Sequence, residues 1–449
     1  MSVTAKPDAA SSLESWIDWL LHLHAQEIDL GLERVRQVGA KMSILQPAPK
    51  GISVAGTNGK GSSVALLSSI LRQAGYRVGA YTSPHIQAFN ERIQIDGVAV
   101  DSQTIVEAFD LIERSRGQIK LTYFEFSTLA ALQIFKQAAL DVVVLEVGLG
   151  GRLDAVNIVD ADAALITAID VDHIDWLGDD RGQIAIEKAG ITRSGRLAVC
   201  SDPNPPQTLA DYCAEHRVNL LQLGRDFHYR VDEEGGWSLL WDSSAQTDTY
   251  PRPALKGDFQ IQNAAGVLAL LQQMGRSGDL TVSADAIKRG LQNATHPGRL
   301  QSVEFHHNGR FYHWLIDVAH NPQSSEVLAD YLAKQELSGL KAVFSVLDDK
   351  DASPMVQRIS PYVDQWYTAD LQIPRSSSEK KLQTLLQDNH VKASCIHVYD
   401  SIEKSVQACL SQSGSDTRPE TPDLLVWGSF FTVAQVYQAL KALAIELGN

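Results

Sequence analysis

Apolar positions along this chain recur with two periods, and their alternation predicts the architecture. Over the first 45 residues, Trp16, Leu20 and Leu23, then Leu32, Val35 and Val38, fall at helical spacing, interrupted at Ile28-Asp-Leu-Gly31. From Gly51 onward, short apolar runs alternate with helical patterns. Val78 to Tyr81, Asp141 to Val147, Ala163 to Ile169 and Arg196 to Cys200 read as strands. Helices are expected near Ile105 to Arg114, Phe126 to Ala138 and Ile184 to Ile191. Such alternation predicts a parallel sheet, and the unbroken apolar run Val142 to Leu145 predicts a strand buried on both faces. Phe227 to Arg230 and Trp237 to Trp241 flank Glu-Glu-Gly-Gly and predict a hairpin. A helix follows over Gln260 to Gln272.

A second alternating block begins near Phe311. Its expected strands are Tyr312 to Ile316, Ala342 to Val346, Trp366 to Ala369, Cys395 to Val398 and Leu424 to Trp427. Helices are expected near Ser324 to Lys334, Met355 to Ile359, Glu379 to Leu386, Ile402 to Leu410 and Val433 to Ala444. Proline and glycine punctuate Thr295-His-Pro-Gly-Arg299, the best place for a join. The expectation is an α/β domain over residues 1–296 and a smaller α/β domain over 297–449.

Composition narrows the class. A chain of 449 residues with 44% hydrophobic and 21% charged residues is expected to be a soluble globular protein of two domains. No run reaches the roughly 18 apolar residues that a membrane span needs. No apolar segment follows a basic start, so a cytoplasmic location is expected. The four cysteines form no C-x-x-C pair and suggest neither a zinc site nor a disulfide framework. A net charge of -15 argues against nucleic acid as a partner.

The chemistry begins at Val54-Ala-Gly-Thr-Asn-Gly-Lys-Gly-Ser-Ser63, between a strand-like and a helix-like run. Glycines let the backbone approach a ligand, amides at a helix start suit phosphate oxygens, and Lys60 adds a point charge. The usual phosphate-loop spelling G-x-x-x-x-G-K-[ST] fails twice, at Val54 and at Gly61. Gly61 removes the hydroxyl that ordinarily helps to hold magnesium.

Other candidates lie at the carboxyl ends of strands, where open parallel sheets bind ligands. Glu146 ends the run Val142 to Leu145 and suits a magnesium ligand; a solvent-facing acid is the alternative. The glycines of Val147-Gly-Leu-Gly-Gly-Arg-Leu-Asp154 imply close backbone approach. Asp172-His173 follows another strand, and ligation by His173 gains weight if that strand neighbours the one ending at Glu146. Ser83 is a hard oxygen donor or a turn residue. Lys188 reads as a solvated lysine and Asn263 as an exposed helix residue unless a ligand claims them. Arg299 lies in the join. Asp317-Val-Ala-His-Asn-Pro322 reads as a polar turn with Asn321 as N-cap, which leaves Asp317 and His320 unexplained.

Taken together, Gly56-Thr-Asn-Gly-Lys-Gly-Ser62, Ser83-Pro-His85, Phe89-Asn-Glu-Arg-Ile93, Leu145 to Asp154, Asp172-His173, Glu187-Lys-Ala-Gly190, Pro297-Gly-Arg299 and Asp317 to Pro322 resemble the folate branch of the Mur ligases, the folylpolyglutamate synthases and dihydrofolate synthases. The likeness runs in order from about Trp16 to the C-terminus. Ile28-Asp-Leu-Gly-Leu-Glu-Arg-Val35 and Leu121-Thr-Tyr-Phe-Glu125 resemble the bifunctional bacterial members. Val171 stands where the family often has leucine, and Ser62 where threonine also occurs; both changes are conservative.

The resemblance implies a P-loop parallel-sheet ATPase domain followed by a Rossmann-like domain. It implies that Thr57, Asn58, Gly59, Lys60, Gly61 and Ser62 hold ATP phosphates, with Asn263, Arg299 and Asp317 completing nucleotide binding. Ser83, Glu146 and His173 would hold two Mg2+ ions between them, with K+ a further candidate, and Lys188 would be carbamylated. Ile28, Asp29, Leu30, Thr122, Tyr123, Phe124, Glu125, Leu153, Asp154 and Ala155 would form the pterin and benzoate pocket. His320 would help to receive glutamate. The implied catalytic set is Lys60, Lys188, His173, Glu146 and His320. The implied reaction adds L-glutamate to 7,8-dihydropteroate or to tetrahydrofolates through an acyl phosphate, carried out by a monomer without nucleic-acid or membrane partners. A cell-wall Mur ligase is expected to have an additional N-terminal domain, whereas only roughly 50 residues precede the loop here. A slow nucleotide switch is expected to lack a small-molecule pocket.

Overall fold

The computed structural model describes residues 6–24, 29–232, 235–242 and 244–445. They form two compact units, one of Met1–Ala254 with Gln260–Thr295 and one of Leu255–Phe259 with His296–Asn449. Among the described residues no helix is long and apolar enough to cross a membrane.

The first unit is built on an eight-stranded sheet of β1 (Lys50–Ala55), β2 (Val78–Tyr81), β3 (Ile93–Ile95), β4 (Val98–Ala99), β5 (Val142–Glu146), β6 (Ala163–Ile166), β7 (Leu197–Cys200) and β8 (Asn219–Gln222). Its order is β4-β3-β2-β5-β1-β6-β7-β8. The run from β2 to β8 is parallel, as the alternation predicts. The β3 and β4 edge is antiparallel and too short to show a period in sequence. Every residue of β5 is buried, in accord with its continuous apolar run.

Around the sheet pack α1 (Leu13–Leu23), α2 (Glu33–Lys41), α3 (Lys60–Gln73), α4 (Ser102–Arg116), α5 (Tyr123–Gln137), α6 (Ile174–Leu177), α7 (Arg181–Ala189), α8 (Gln207–Glu215), α9 (Phe259–Arg276) and α10 (Ala284–Asn293). Side-chain caps set several starts: Ser12 accepts from the amide of Ser15, Asp101 from Thr104 and Ser283 from Ala286. The expected hairpin gains a third strand, giving β9 (Phe227–Val231), β10 (Trp237–Trp241) and β11 (Ser244–Tyr250), all antiparallel.

The N-terminal helices belong to this unit's core. Trp16 is fully buried, 5.8 Å from the ring of Phe109 and 6.4 Å from that of Phe126, and its indole N–H donates to the carbonyl of Asp8. Leu20, Val35 and Val38 join the same cluster, so the helical spacing reports a real inward face.

The second unit carries β12 (Gln301–His307), β13 (Arg310–Ile316), β14 (Leu340–Phe344), β15 (Val363–Ala369), β16 (Ile396–Tyr399) and β17 (Leu424–Trp427), ordered β12-β13-β17-β14-β15-β16. Only β12 pairs antiparallel among them; its alternating burial made it inconspicuous beside the apolar central strands. The helices are α11 (Pro322–Lys334), α12 (Ala352–Ile359), α13 (Glu379–Asp388), α14 (Ile402–Gln412) and α15 (Phe430–Ala442). Phe344, Trp366 and Trp427 interlock with ring centroids 4.6–6.2 Å apart. The fold is thus the expected pair of α/β units.

Replacing Trp16 by alanine leaves a cavity among Phe109 and Phe126 and is expected to cost about 3–5 kcal/mol. Denaturant unfolding followed by a probe in the first unit checks this; a cost below about 1 kcal/mol would show that α1 is peripheral to the core.

Candidate active site

Strand β1 runs into the glycine loop, and α3 starts at Lys60. Gly59 caps the helix with φ +89°, a left-handed conformation that suits glycine, and no side chain caps α3. The first-turn amides therefore call for an acceptor from outside the helix, a role that phosphate oxygens fill well. The loop is braced from the segment after β6. The Thr167 hydroxyl donates to the carbonyl of Asn58 at 2.7 Å, and the Thr57 amide donates to Ala168 at 2.7 Å. The Thr57 hydroxyl donates to the Asp170 carbonyl at 2.8 Å and accepts from its amide at 3.0 Å. Thr167 comes so close that a Cβ on Gly56 would lie 1.8 Å from its hydroxyl oxygen. Lys60 folds over the loop, its Nζ donating to the carbonyls of Gly56 at 3.0 Å and Thr57 at 3.1 Å.

The opposite wall comes from α9. Asn263 Oδ1 lies 2.6 Å from where a Cβ on Gly59 would stand. Its Nδ2 donates to Gln260 Oε1 at 3.0 Å, and Gln260 Nε2 donates to the Ser62 hydroxyl at 3.2 Å. Asn263 is therefore buried against the loop. Gln260, fully buried, is a loop-supporting residue that the sequence reading omitted; its signal is the i, i+3 spacing to Asn263. Gln260 occupies an acceptor position of the Ser62 hydroxyl, which leaves its O–H, with the Ser62 amide, to donate to a phosphate.

Glu146 ends β5, opposite Val54 of β1, and is 5% exposed. Its Oε2 accepts from the Ser83 amide at 3.1 Å, so the segment after β2 and the end of β5 meet. His173 caps α6 in a left-handed conformation (φ +54°) and is exposed. The strand leading to it, β6, is not the neighbour of β5: β1 lies between them. Glu146 and His173 thus flank the strand that feeds the phosphate loop. Among the described residues no group of three or more His, Cys, Asp or Glu side chains is gathered for a metal ion. Magnesium does not require such a group, since it takes one or two carboxylates and leaves other positions to water and phosphate. The buried carboxylate of Glu146, next to Ser83, is a hard-oxygen donor set of that kind.

The glycines of the 147–154 turn admit close neighbours. A Cβ on Gly151 would lie 2.6 Å from the Glu187 carbonyl and 3.0 Å from Lys188 Cα, so this turn packs directly on α7. The Arg152 amide donates to the Glu187 carbonyl at 2.8 Å, and its guanidinium pairs with the Glu187 carboxylate. Lys188 is 2% exposed, which rules out the solvated alternative. Burial first, and then the positive charge of Lys60, push its amine down to about 7, against the pull of Asp172 and Glu187. Asp154 is also buried. Its Oδ2 accepts from the amides of Gly148 at 3.0 Å and Leu149 at 2.9 Å, and Oδ1 accepts from Val156 at 3.0 Å. Burial nevertheless pushes the carboxyl up to about 6, with the three amides and Lys60 opposing.

Phe124 closes onto the same turn: a Cβ on Gly148 would stand 2.6 Å from its ring and 3.3 Å from Asp154 Oδ2. Tyr81 lies 6.2 Å from the Phe124 ring. An aromatic face and a buried acid therefore sit together beside the phosphate loop. Tyr123, Phe124 and Leu153 are half-buried and have surface to offer a ligand, whereas Ala155 is buried. Thr122 and Glu125 form a capping box, with Glu125 Oε2 accepting from the Thr122 amide at 2.8 Å. Arg34, also omitted from the candidates, joins this box to the N-terminal string. It donates to Glu125 at 3.0 Å and pairs with Asp29 at 2.7 Å. Asp29 and half-buried Leu30 are thus brought toward Thr122 to Glu125; Ile28 lies outside the described residues.

In the second unit, Asp317 is buried and accepts from the amides of Leu300 at 2.9 Å and Ala319 at 2.7 Å, and burial raises its carboxyl. The Arg299 guanidinium lies 5.0 Å from the Phe430 ring centroid, and the His320 ring 5.6 Å from it. His320 Nδ1 is 2.9 Å from the Val318 carbonyl, which places the proton on Nδ1. Asn321 caps α11 with Pro322 following, as read from sequence. Arg299, Asp317 and His320 are therefore gathered around the end of β13.

The model of the Mur ligase middle domain matches residues 54–271, and that of the Mur ligase glutamate ligase domain matches residues 298–425. The chain is 41% identical to the dihydrofolate synthase/folylpolyglutamate synthase of Escherichia coli K12, over 98% of this chain and 99% of that protein. The fold superposes on the structure of Escherichia coli FolC in complex with DHPP and ADP with a TM-score of 0.86 at 40% identity, covering 97% of this chain and 99% of the other. It superposes on the bifunctional folylpolyglutamate synthase/dihydrofolate synthase of Yersinia pestis, complexed with AMPPNP and a Mn ion, with a TM-score of 0.85 at 41% identity, covering 97% and 100%. A phosphate loop with strand-end acids on one α/β unit, followed by a second α/β unit, is the build of an ATP-dependent ligase of the Mur class. Within that class the chain belongs to the dihydrofolate synthase/folylpolyglutamate synthase family.

The buried amine of Lys188 makes a testable demand on stability. Its folded value, about 7, is below the ordinary 10.5, so the unfolded chain binds more protons between these values. Unmodified protein should gain stability as pH rises from 7 toward 10.5. Lys188→Met should be more stable than the parent, by most below pH 7 and by little near 10.5. Paired denaturation curves in CO2-free buffer check this, and an advantage independent of pH would contradict it.

Proposed function

We propose that this chain joins L-glutamate to 7,8-dihydropteroate, forming dihydrofolate, and to the γ-carboxyl of tetrahydrofolate tails, using ATP. The observation that carries this reading is the shared turn at Gly148 to Gly151. It holds Phe124 and Asp154 on one side and Lys188 on the other, next to the phosphate loop. A flat pterin–benzoate acid seated on Phe124 would present its carboxylate to a phosphoryl group held by Thr57 to Ser62.

The reaction runs in two steps. The carboxylate oxygen attacks the γ-phosphorus and the bond to ADP breaks, giving an acyl phosphate. The α-amine of glutamate then attacks the acyl carbon, and phosphate leaves from the tetrahedral intermediate. The amides of the loop and Lys60 Nζ neutralise charge on the transferring group. Lys60 must leave the loop carbonyls to do so, an exchange of one set of acceptors for stronger anionic ones. Asn263 fixes the loop's far wall. Asp154 serves the pterin end, and Leu153, Ala155, Tyr123 and the Asp29–Leu30 segment shape the pocket.

Ser83, Glu146 and His173 are assigned to hold two Mg2+ ions, and K+ is a further candidate. The chemistry that such ions supply when bound is charge neutralisation at phosphoryl oxygens. Lys188 is assigned as a carbamate: its neutral amine attacks CO2, a C–N bond forms and a proton is lost, leaving an anion. Burial, which keeps the amine partly neutral near pH 7, favours that step. In the second unit, His320 is assigned to the incoming glutamate and Arg299 and Asp317 to the nucleotide; their clustering around β13 supports a common task. A cytoplasmic monomer is proposed, a setting that suits four cysteines left unpaired.

Phosphate release with ATP, Mg2+ and L-glutamate should require either dihydropteroate or tetrahydrofolate, each supplied separately. Release that ignores both, or that only a muropeptide supports, would refute the proposal. Lys60→Ala should lower kcat by about 100-fold or more while remaining folded. Lys188→Ala should be similarly impaired, and acetate or formate should restore part of the activity; no rescue by any short carboxylate would count against a carbamate.

A further inference from the structure

Arg92 carries a charge that this mechanism leaves unused. It is 7% exposed, yet among the described residues no carboxylate pairs with it. Its Nε donates to His85 Nδ1 at 2.8 Å, an interaction in which the imidazole must present a lone pair and is therefore neutral. Its guanidinium lies 5.6 Å from the Phe89 ring centroid and 5.5 Å from that of Tyr123. The adjacent acid, Glu91, is committed elsewhere, accepting from the amides of Ile86 and Gln87 at 2.8 Å and Ala88 at 2.7 Å. Two aromatic faces and one neutral acceptor are small compensation for taking a guanidinium out of water, where a buried charge ordinarily has an anion.

The position suggests which anion. Tyr123 adjoins Phe124 of the pocket, and Tyr81, 6.2 Å from Phe124, feels the charges of both Arg92 and Asp154. His85 follows Ser83, whose amide is held by Glu146. Arg92 is thus tied to the aromatic pocket through Tyr123 and, through His85, to the segment whose Ser83 amide meets the acid at the end of β5. Dihydropteroate has one carboxyl group, the one to be activated. A folate tail has two at its terminus: the γ-carboxyl, which is activated, and an α-carboxylate, which is not.

We propose that Arg92 binds this unreacting α-carboxylate and so adapts the site to tail elongation, a proposal that rests on the reaction assigned above. The planar guanidinium matches a carboxylate through two parallel hydrogen bonds. The rings of Phe89 and Tyr123, together with His85, fix its plane before substrate arrives, which reduces the ordering cost on binding.

The test compares kcat/KM for three acceptors: dihydropteroate, tetrahydrofolate, and a tetrahydrofolate analogue with γ-aminobutyrate in place of glutamate, which lacks only the α-carboxylate. The parent should prefer the glutamate tail to the γ-aminobutyrate tail by about tenfold or more, as expected for a charge-assisted contact. Arg92→Gln should abolish that preference and lower the ratio of tetrahydrofolate to dihydropteroate efficiency by about tenfold. Arg92→Lys should fall between, keeping the charge but losing the fork. An unchanged ratio in Arg92→Gln, whether all three activities fall together or all persist, overturns the proposal. So does a parent enzyme indifferent to the α-carboxylate, a result that needs no variant to fold. A parent inactive on both dihydropteroate and tetrahydrofolate would overturn the assigned reaction, and this proposal with it.

Discussion

The pairing of β1 with β5 on one side and β6 on the other is the constraint from which the first unit's site follows. Parallel strands end on a common edge, so three chain segments distant in sequence emerge together there. β1 supplies the glycine loop, β5 supplies Glu146, and the extension of β6 supplies Thr167 to Asp170 and then His173. The loop conformation is not held by its own residues alone. Thr167 and Ala168 bind its backbone, Asp170 holds the Thr57 hydroxyl, and Thr167 occupies space that any side chain at position 56 would need. A shift of β6 relative to β1 would therefore deform the loop before it touched any ligand.

Charge burial is the second organising feature, and it is costly. Lys188 and Asp154 are sealed beside the partly exposed Lys60, and burial drives each of the two toward its neutral form. Three amides partly compensate Asp154; the compensation of Lys188 by Asp172 and Glu187 is incomplete, since the amine is still pushed down. Nothing in local propensity favours such an arrangement. It is tolerated because the surrounding strands and helices bury a continuous apolar core that includes Trp16, Phe126 and Leu145. Arg92 belongs to the same pattern: a buried cation held by rings and a neutral imidazole, with no carboxylate pairing with it among the described residues.

Much of this was legible from residue order. The strand–glycine loop–helix succession, the continuous apolar run of β5 and the α/β alternation of the second unit appear in the structure within a few residues of their expected bounds. The strands that escaped notice did so for local reasons. β3 and β4 are too short to show a period, β8 has only two apolar residues between Asn219 and Gln222, β12 is an alternating edge strand, and β11 is polar. Among site residues, Gln260 and Arg34 were missed because their role is to hold other residues: one fixes Ser62 and Asn263, the other ties Asp29 to Glu125. A partner nearly 200 positions away leaves no trace in a single sequence. Thr122 and Glu125, read as pocket residues, also form the capping box of α5, which the motif S/T-x-x-E could have signalled.

The sequence by itself determined the local chemistry: which glycines permit close approach, which strand ends carry acids, and where helices start, because these depend on neighbours a few residues apart. It also carried enough ordered motifs to indicate the family. Only the tertiary structure decided that β1 separates the strands leading to Glu146 and His173, that Lys188 is buried rather than solvated, and that Arg92 has a neutral imidazole in the place where a buried cation ordinarily has a carboxylate. Those facts depend on sheet order and on what is excluded from water, and both are set by contacts between residues far apart in the chain.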